Sequence, residues 1–137
     1  MAGLEGLVIE MRALSTKINA ETNKNTQDVA IKVLETFVNI TRVDTSKAIS
    51  NYLVSIGSAP SFIINARYPG KGGSTQGQSS KSTIDEGTYK IRGRQIGQDI
   101  VIQNNLSYID WLDSKDSMEA RAYQAGIAKA AQIVSIK

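Results

Sequence analysis

Apolar residues at helical spacing occupy both ends of this chain, and short β-branched runs occupy only its middle. That order constrains the fold more than any single motif. Leu4, Leu7, Met11, Leu14 and Ile18 alternate three- and four-residue steps, the stripe of an amphipathic helix. The polar residues 19–28 interrupt it, and Ala30, Val33, Phe37 and Ile40 then resume the period. At 3.6 residues per turn the second stripe is rotated about a quarter turn from the first. Either one continuous helix buries two different faces, or two helices meet at a turn near Asn23–Asn25.

Asp44 or Thr45 suits an N-cap, since a short side-chain oxygen can accept from the free N–H groups of a first helical turn. A short helix over Ser46–Asn51 is expected to follow. Leu53–Ile56, closed by Gly57, reads as a strand, with Phe62–Ile64 after Pro60 as its partner. The segment Ala66–Ser82 reads as a loop, and Thr83–Arg94 as a short helix weakened by Gly87 and Gly93. Asp99–Gln103 is the clearest strand, ended by an Asn104–Asn105 turn. Tyr108–Leu112 gives one or two helical turns. A last helix from Ser117 to Ile133 would place Ala120, Tyr123, Ile127, Ala130 and Val134 on one face. Helices before and after a central set of strands predict an α+β fold. The expectation is one domain over residues 1–137: a long N-terminal helix, a small and mostly antiparallel central sheet with an inserted long loop, and a C-terminal helix.

The chain has 137 residues, 41% of them hydrophobic, enough for one real core. It has no cysteine and no histidine. Disulfides, thiolate metal sites and cysteine nucleophiles are thereby excluded, and the commonest general base and metal ligand is missing. A catalytic site would have to rest on carboxylates or Lys/Tyr pairs, so an enzyme is the least expected class; no metal or cofactor is expected. No apolar run approaches the ~20 residues of a membrane span, and the N-terminal residues, with Glu5 and Glu10 and no basic region, do not resemble a signal peptide.

The charge is unevenly spread. Between Arg67 and Arg94, the cations Arg67, Lys71, Lys81, Lys90, Arg92 and Arg94 face only Asp85 and Glu86, a net of +4, while the whole chain carries +3. The sequence YPGKGGSTQGQSSKST in this tract has little to bury, so residues 66–94 read as a basic Gly/Ser-rich insertion suited to a polyanion or an acidic protein surface. Its glycines do not form a phosphate loop, because Gly72 follows Lys71 where Ser or Thr is required. Asp110, Asp113 and Asp116 recur every third residue, without the glycine and terminal glutamate of a calcium loop. They read as a solvated acidic face, and residues 95–137 hold five acids against four cations. Tyr108 and Trp111 beside them read as core or interface anchors. No helix-turn-helix, zinc-finger or RNA-binding aromatic pattern occurs.

Two segments resemble one family. Val43-Asp44-Thr45-Ser46-Lys47-Ala48, continued by Asn51-Tyr52-Leu53-Val54-Ser55-Ile56-Gly57, is similar to a signature of tailed-bacteriophage neck and tail-completion proteins, the HK97 gene-product-10-like family. Gly97 to Ile109, with its Ile100-Val101-Ile102-Gln103-Asn104-Asn105-Leu106 core, is similar to a second. Tyr68-Pro69-Gly70 and Gly87-Thr88 fall where that family carries a variable loop. The resemblance covers roughly residues 1–115. Tyr52 stands for the usual tryptophan and Ser107 for the usual proline, and the chain departs from the pattern after Leu112.

The resemblance implies a non-catalytic virion protein, assembled in the host cytoplasm. It would form a ring, commonly hexameric, at the head–tail junction or upper tail. Its partners would be a portal, adaptor or stopper protein above and a tail-tube protein below, with genomic DNA passing through the lumen. In such a ring Arg67, Lys71, Lys81, Lys90, Arg92 and Arg94 would serve as an inter-subunit arm or as lumen wall. Tyr108, Asp110, Trp111 and Asp113 would serve at subunit contacts. The alternative reading is a small basic protein that binds nucleic acid without sequence preference.

Overall fold

The second apolar stripe forms the helix it predicts. Helix α1, Asn23–Ile40, shields Val29, Ala30, Val33, Leu34, Phe37 and Val38 fully from solvent. The computed structural model describes residues 9–10, 23–41 and 46–136. All five residues of the first stripe lie outside these residues, as do Asp44 and Thr45. Between stripe positions Leu7 and Met11, residues Ile9–Glu10 form a strand (β1), with Ile9 opposite Ile102 and Glu10 opposite Val101. One helix running unbroken from Leu4 to Ile40 is therefore ruled out.

Strands β2, Leu53–Ile56, and β3, Ile100–Gln103, complete an antiparallel sheet of order β1-β3-β2. Val54 lies opposite Ile102 and Ile56 opposite Ile100. Alternation along the strands sends these four side chains to one face, where they join Val33, Leu34 and Phe37 in the core.

Phe62–Ile64 is not the partner of β2; β3 is. The segment instead hangs on two asparagine side chains. Asn51 accepts from the Ile64 N–H at 2.8 Å and donates to the Ile64 carbonyl at 2.9 Å. Asn105 donates to the carbonyls of Pro60 and Phe62, at 2.8 and 3.0 Å. Side-chain amides thus do the work of a ladder, and Phe62 and Ile63 remain exposed. Asn104–Asn105 is accordingly no surface turn. Both residues are buried, and Asn104 donates to the carbonyl of Ala48 at 2.9 Å.

Between β2 and the 60s segment on one side and β3 on the other, much of the expected loop is helix. Helix α3, Gln76–Arg92, begins seven residues before the predicted Thr83. Its buried positions are Ser79, Thr83, Gly87 and Ile91, one every four residues. A search for apolar spacing misses this face because three of its four residues are small or polar. Smallness is what it requires. A Cβ on Gly87 would overlap Leu34 Cδ2 of α1 and lie 3.0 Å from Val54 Cγ2 of β2. The glycine that counted against a helix is the one that lets the helix seat.

The short helix α2, Lys47–Ser50, matches expectation, but its N-terminal flanking residue is Ser46, in the left-handed region at φ 70°. The Ser46 hydroxyl bonds Thr75 Oγ1 at 2.8 Å and caps nothing in α2. Helix α4 spans Ile109–Asp116 and α5 spans Met118–Ile136. Helix α5 packs along α1, its most extensive partner. The face it buries is Met118, Ala122, Gly126 and Ala130, with Tyr123 and Ile127 half-buried at its side. Ala120, expected to face inward, is exposed. Ser117, at φ 50°, breaks the chain direction between α4 and α5 and so resets the phase.

Tyr52 sits where these elements meet. Its ring stacks on Phe37 at 5.1 Å between centroids, and its hydroxyl bonds Thr41 Oγ1 at 2.7 Å and reaches Met118 Sδ at 3.7 Å. Burial pushes its phenol far above the ordinary tyrosine range.

Two glycine substitutions on one helix test the packing. Gly87→Ala should lower stability by about 1–3 kcal/mol through overpacking that exceeds the helix-propensity gain. Gly77→Ala, whose Cβ would meet nothing within 4 Å, should raise stability by up to about 1 kcal/mol. Urea unfolding of both variants checks the opposite signs.

Candidate functional site

The six cations of the basic tract lie along α3, in the loop that leads into it and, for Arg94, just beyond its end, and four of them pair with three carboxylates. Arg67 pairs with Glu86. Lys90 reaches the other oxygen of Glu86 at 3.3 Å, and Lys81 pairs with Asp85 at 2.6 Å. Arg92 pairs with Asp28 of α1 at 2.9 Å and donates to Gln27 Oε1 at 3.1 Å. Arg94 is buried, donating to the Gln98 carbonyl at 2.8 Å and to Asn23 Oδ1 at 2.7 Å. Burial draws its guanidinium down, against the opposing charge of Asp99. Of the six, Lys71 alone is exposed with no ionic partner among the described residues.

The loop before α3 is equally held. The Arg67 N–H donates to Ser50 Oγ at 2.9 Å, the Tyr68 N–H donates to Ser79 Oγ at 3.2 Å, and Thr75 Oγ1 donates to the Tyr68 carbonyl. The expected mobile basic arm is thus a helix plus a loop stapled to α2 and α3. Burial alone would raise the Asp28 and Glu86 carboxyls. The hydrogen bonds and charges of Lys24 and Arg92 on Asp28, and of Arg67 and Lys90 on Glu86, outweigh it and hold both below the usual range.

The acidic–aromatic group on α4 divides. Trp111 is 57% exposed, with the Lys115 ammonium 5.5 Å from its ring centroid, and Tyr108 is 42% exposed. Both are open to a partner, and partial burial raises the Tyr108 phenol. Asp113 turns inward, where its Oδ1 accepts from the Glu119 N–H at 2.8 Å and caps α5. The side chain of Asp110 is outside the described set.

Sequence reasoning missed three exposed apolar residues: Tyr89 at 82%, Ile96 at 77% and Ile63 at 50%. Tyr89 stands two residues from Gly87, so on a helix whose buried face is 79–83–87–91 it must point outward. Recognising that small-residue face was the missing signal. Beside Tyr89 a groove of about 570 Å³ runs between Val54, Ser55 and Ile56 of β2 and Lys90, Arg92 and Gly93 at the end of α3. Among the described residues no group of three or more acidic side chains is placed to hold a metal ion, and no helix is long and apolar enough to cross a membrane.

Compared with family models, curated proteins and solved structures, the chain gives no match.

Two variants probe these assignments. Asp113→Ala should cost about 1 kcal/mol, the usual cost of losing a helix cap, with no change in assembly, read by urea unfolding and sedimentation. For Asp28 the folded carboxyl is depressed, so its contribution is complete above the unfolded carboxylate range and is lost as pH falls through the folded value. Stability measured from pH 7 to pH 3 should therefore fall less steeply in Asp28→Asn than in the wild type.

Proposed function

We propose that this chain is a structural subunit of a tailed-phage virion, assembling through homo-oligomeric contacts into a ring that completes the tail and joins it to the head connector. The observation that carries this reading is where the aromatic side chains are spent. The chain has eight aromatic residues, and five of them, Phe62, Tyr68, Tyr89, Tyr108 and Trp111, are exposed, with Ile63 and Ile96 beside them in this class. Aromatic side chains are enriched at interface cores and seldom left in water by a monomer. They stand on different elements: the 60s loop, α3, the segment before β3, and α4. A ring requires this, since one patch must dock on a different patch of the next subunit.

The charge pattern favours protein contacts over a nucleic-acid surface. Phosphate binding needs cations free to replace counterions, and four of the six in the basic tract are already paired. In this reading the tract serves as a subunit surface, and Lys71 is its exposed cation without an ionic partner among the described residues. The absence of histidine and cysteine is in keeping with a protein that does no chemistry.

Negative-stain imaging and a duplex-DNA titration over a range of salt test the proposal together. Closed rings, with only weak and strongly salt-dependent DNA affinity, are expected. A monomer that binds duplex DNA tightly at physiological salt would overturn it in favour of the nucleic-acid reading.

A further inference from the structure

Among the described residues, two stretches each leave one backbone edge without a partner, and they match. Strand β2 is an outer strand of the sheet. The Gly57 N–H donates to the Asp99 carbonyl at 2.8 Å, which fixes the phase of the β2–β3 ladder. Alternation then turns the N–H and C=O groups of Ser55 toward β3 and those of Val54 and Ile56 away from it. Neither outward pair bonds a described residue. Along that edge runs the groove of about 570 Å³ whose far wall is Tyr89, Lys90, Arg92 and Gly93. Val54 is buried at its inner end, and Ile56 is half-buried nearer solvent.

The second stretch is Pro60–Ile64. Its residues 60, 62 and 64 turn their backbone groups to Asn105 and Asn51. Every second residue facing one side is the period of an extended chain. Ser61 and Ile63 therefore present their N–H and C=O groups to the other side, where they bond no described residue. Both are exposed, as is Phe62 between them. This is a strand in all but its second partner, held in shape by two side chains.

We propose that the outer edge of β2 is a strand-docking site, and that its occupant is the Pro60–Ile64 segment of a second copy of this chain. The two free edges have the same spacing, with groups at i and i+2 on each, so each N–H meets a C=O. Alternation sends Phe62 and Ile63 to opposite faces, so one of the two supplies an apolar side chain to the groove walled by Ile56 and Tyr89. Strand addition of this kind takes affinity from main-chain hydrogen bonds and specificity from side-chain pockets. It also covers an edge that would otherwise invite uncontrolled pairing. The contact joins two different patches, so it can pass from subunit to subunit and close as a ring. It rests on the ring reading above and names the contact that builds the ring.

The test removes the outward donor without touching the β2–β3 ladder. Proline is tolerated on an edge strand when its missing N–H faces away from the sheet, so Ile56→Pro should keep the circular dichroism of the wild type. Sedimentation should show it as a monomer where the wild type is oligomeric. A second variant does not depend on how that one folds. Because the chain has no cysteine, Ile56→Cys combined with Ile63→Cys should give a ladder of cross-linked species with a short bismaleimide, while each single variant gives none. An oligomeric wild type whose double-cysteine variant forms no ladder, or whose folded Ile56→Pro variant still assembles, overturns the docking site and leaves the ring standing. A monomeric wild type overturns both.

Discussion

The close approach at Gly87 is the contact on which the arrangement of this fold depends. Here α3 meets α1 at Leu34 and β2 at Val54 with no side chain of its own between them. Seating α3 this deeply fixes the roles of its other faces. Ser79, Thr83 and Ile91 follow Gly87 inward, and Tyr89 is driven outward. The same seating brings Arg92 to Asp28 and Glu86 to Arg67, so these two ion pairs of the basic tract follow from the packing. An overlap of even one methyl in a close-packed interior is felt by its neighbours, and at this junction the neighbours belong to both a helix and a strand.

The parts of the fold that were legible in the sequence are those whose signal is local and apolar. Helix α1 announces itself through Val33 and Phe37, β3 through Ile100-Val101-Ile102, and the α+β class through their order. The parts that were not legible are those in which small or polar residues do structural work. Ser79, Thr83 and Gly87 look like loop because a helix that packs by closeness carries no apolar stripe. Asn51 and Asn105 look like turn residues, yet they occupy register positions at the open end of the β2–β3 ladder and hold the Pro60–Ile64 segment by its backbone. Phe62–Ile64 has the composition of a strand and the exposure of a loop, because its ladder partner within the chain is replaced by side-chain amides. On α5, Tyr123, Ile127 and Ala130 pack inward as expected, and Ala120 does not, for another reason. Ser117, in a left-handed conformation, and Asp113, capping from the previous helix, shift its buried face to Met118, Ala122, Gly126 and Ala130.

The candidate site changed character in the same way. Charge counted along the sequence suggested a basic arm, but charge counted in space includes Asp28, which lies far from Arg92 in the chain and 2.9 Å from it in the fold. Beside these charges the surface leaves large apolar side chains open: Phe62 and Ile63, Tyr68, Tyr89, Ile96, and Tyr108 with Trp111. An interface core has this composition, and the groove beside β2 gives part of it a shape. Burying such residues between copies would release water from apolar surface, the main favourable term in most protein association. The paired cations would then sit at the rim, setting orientation more than affinity.

Native mass spectrometry of the intact 14.8 kDa chain tests the central claim, that these surfaces close a ring, most directly. The account predicts one dominant species at a single integer multiple of the subunit mass, persisting on dilution in preference to intermediates. A spectrum holding only the monomer, or an open-ended series of masses with no preferred multiple, would contradict it.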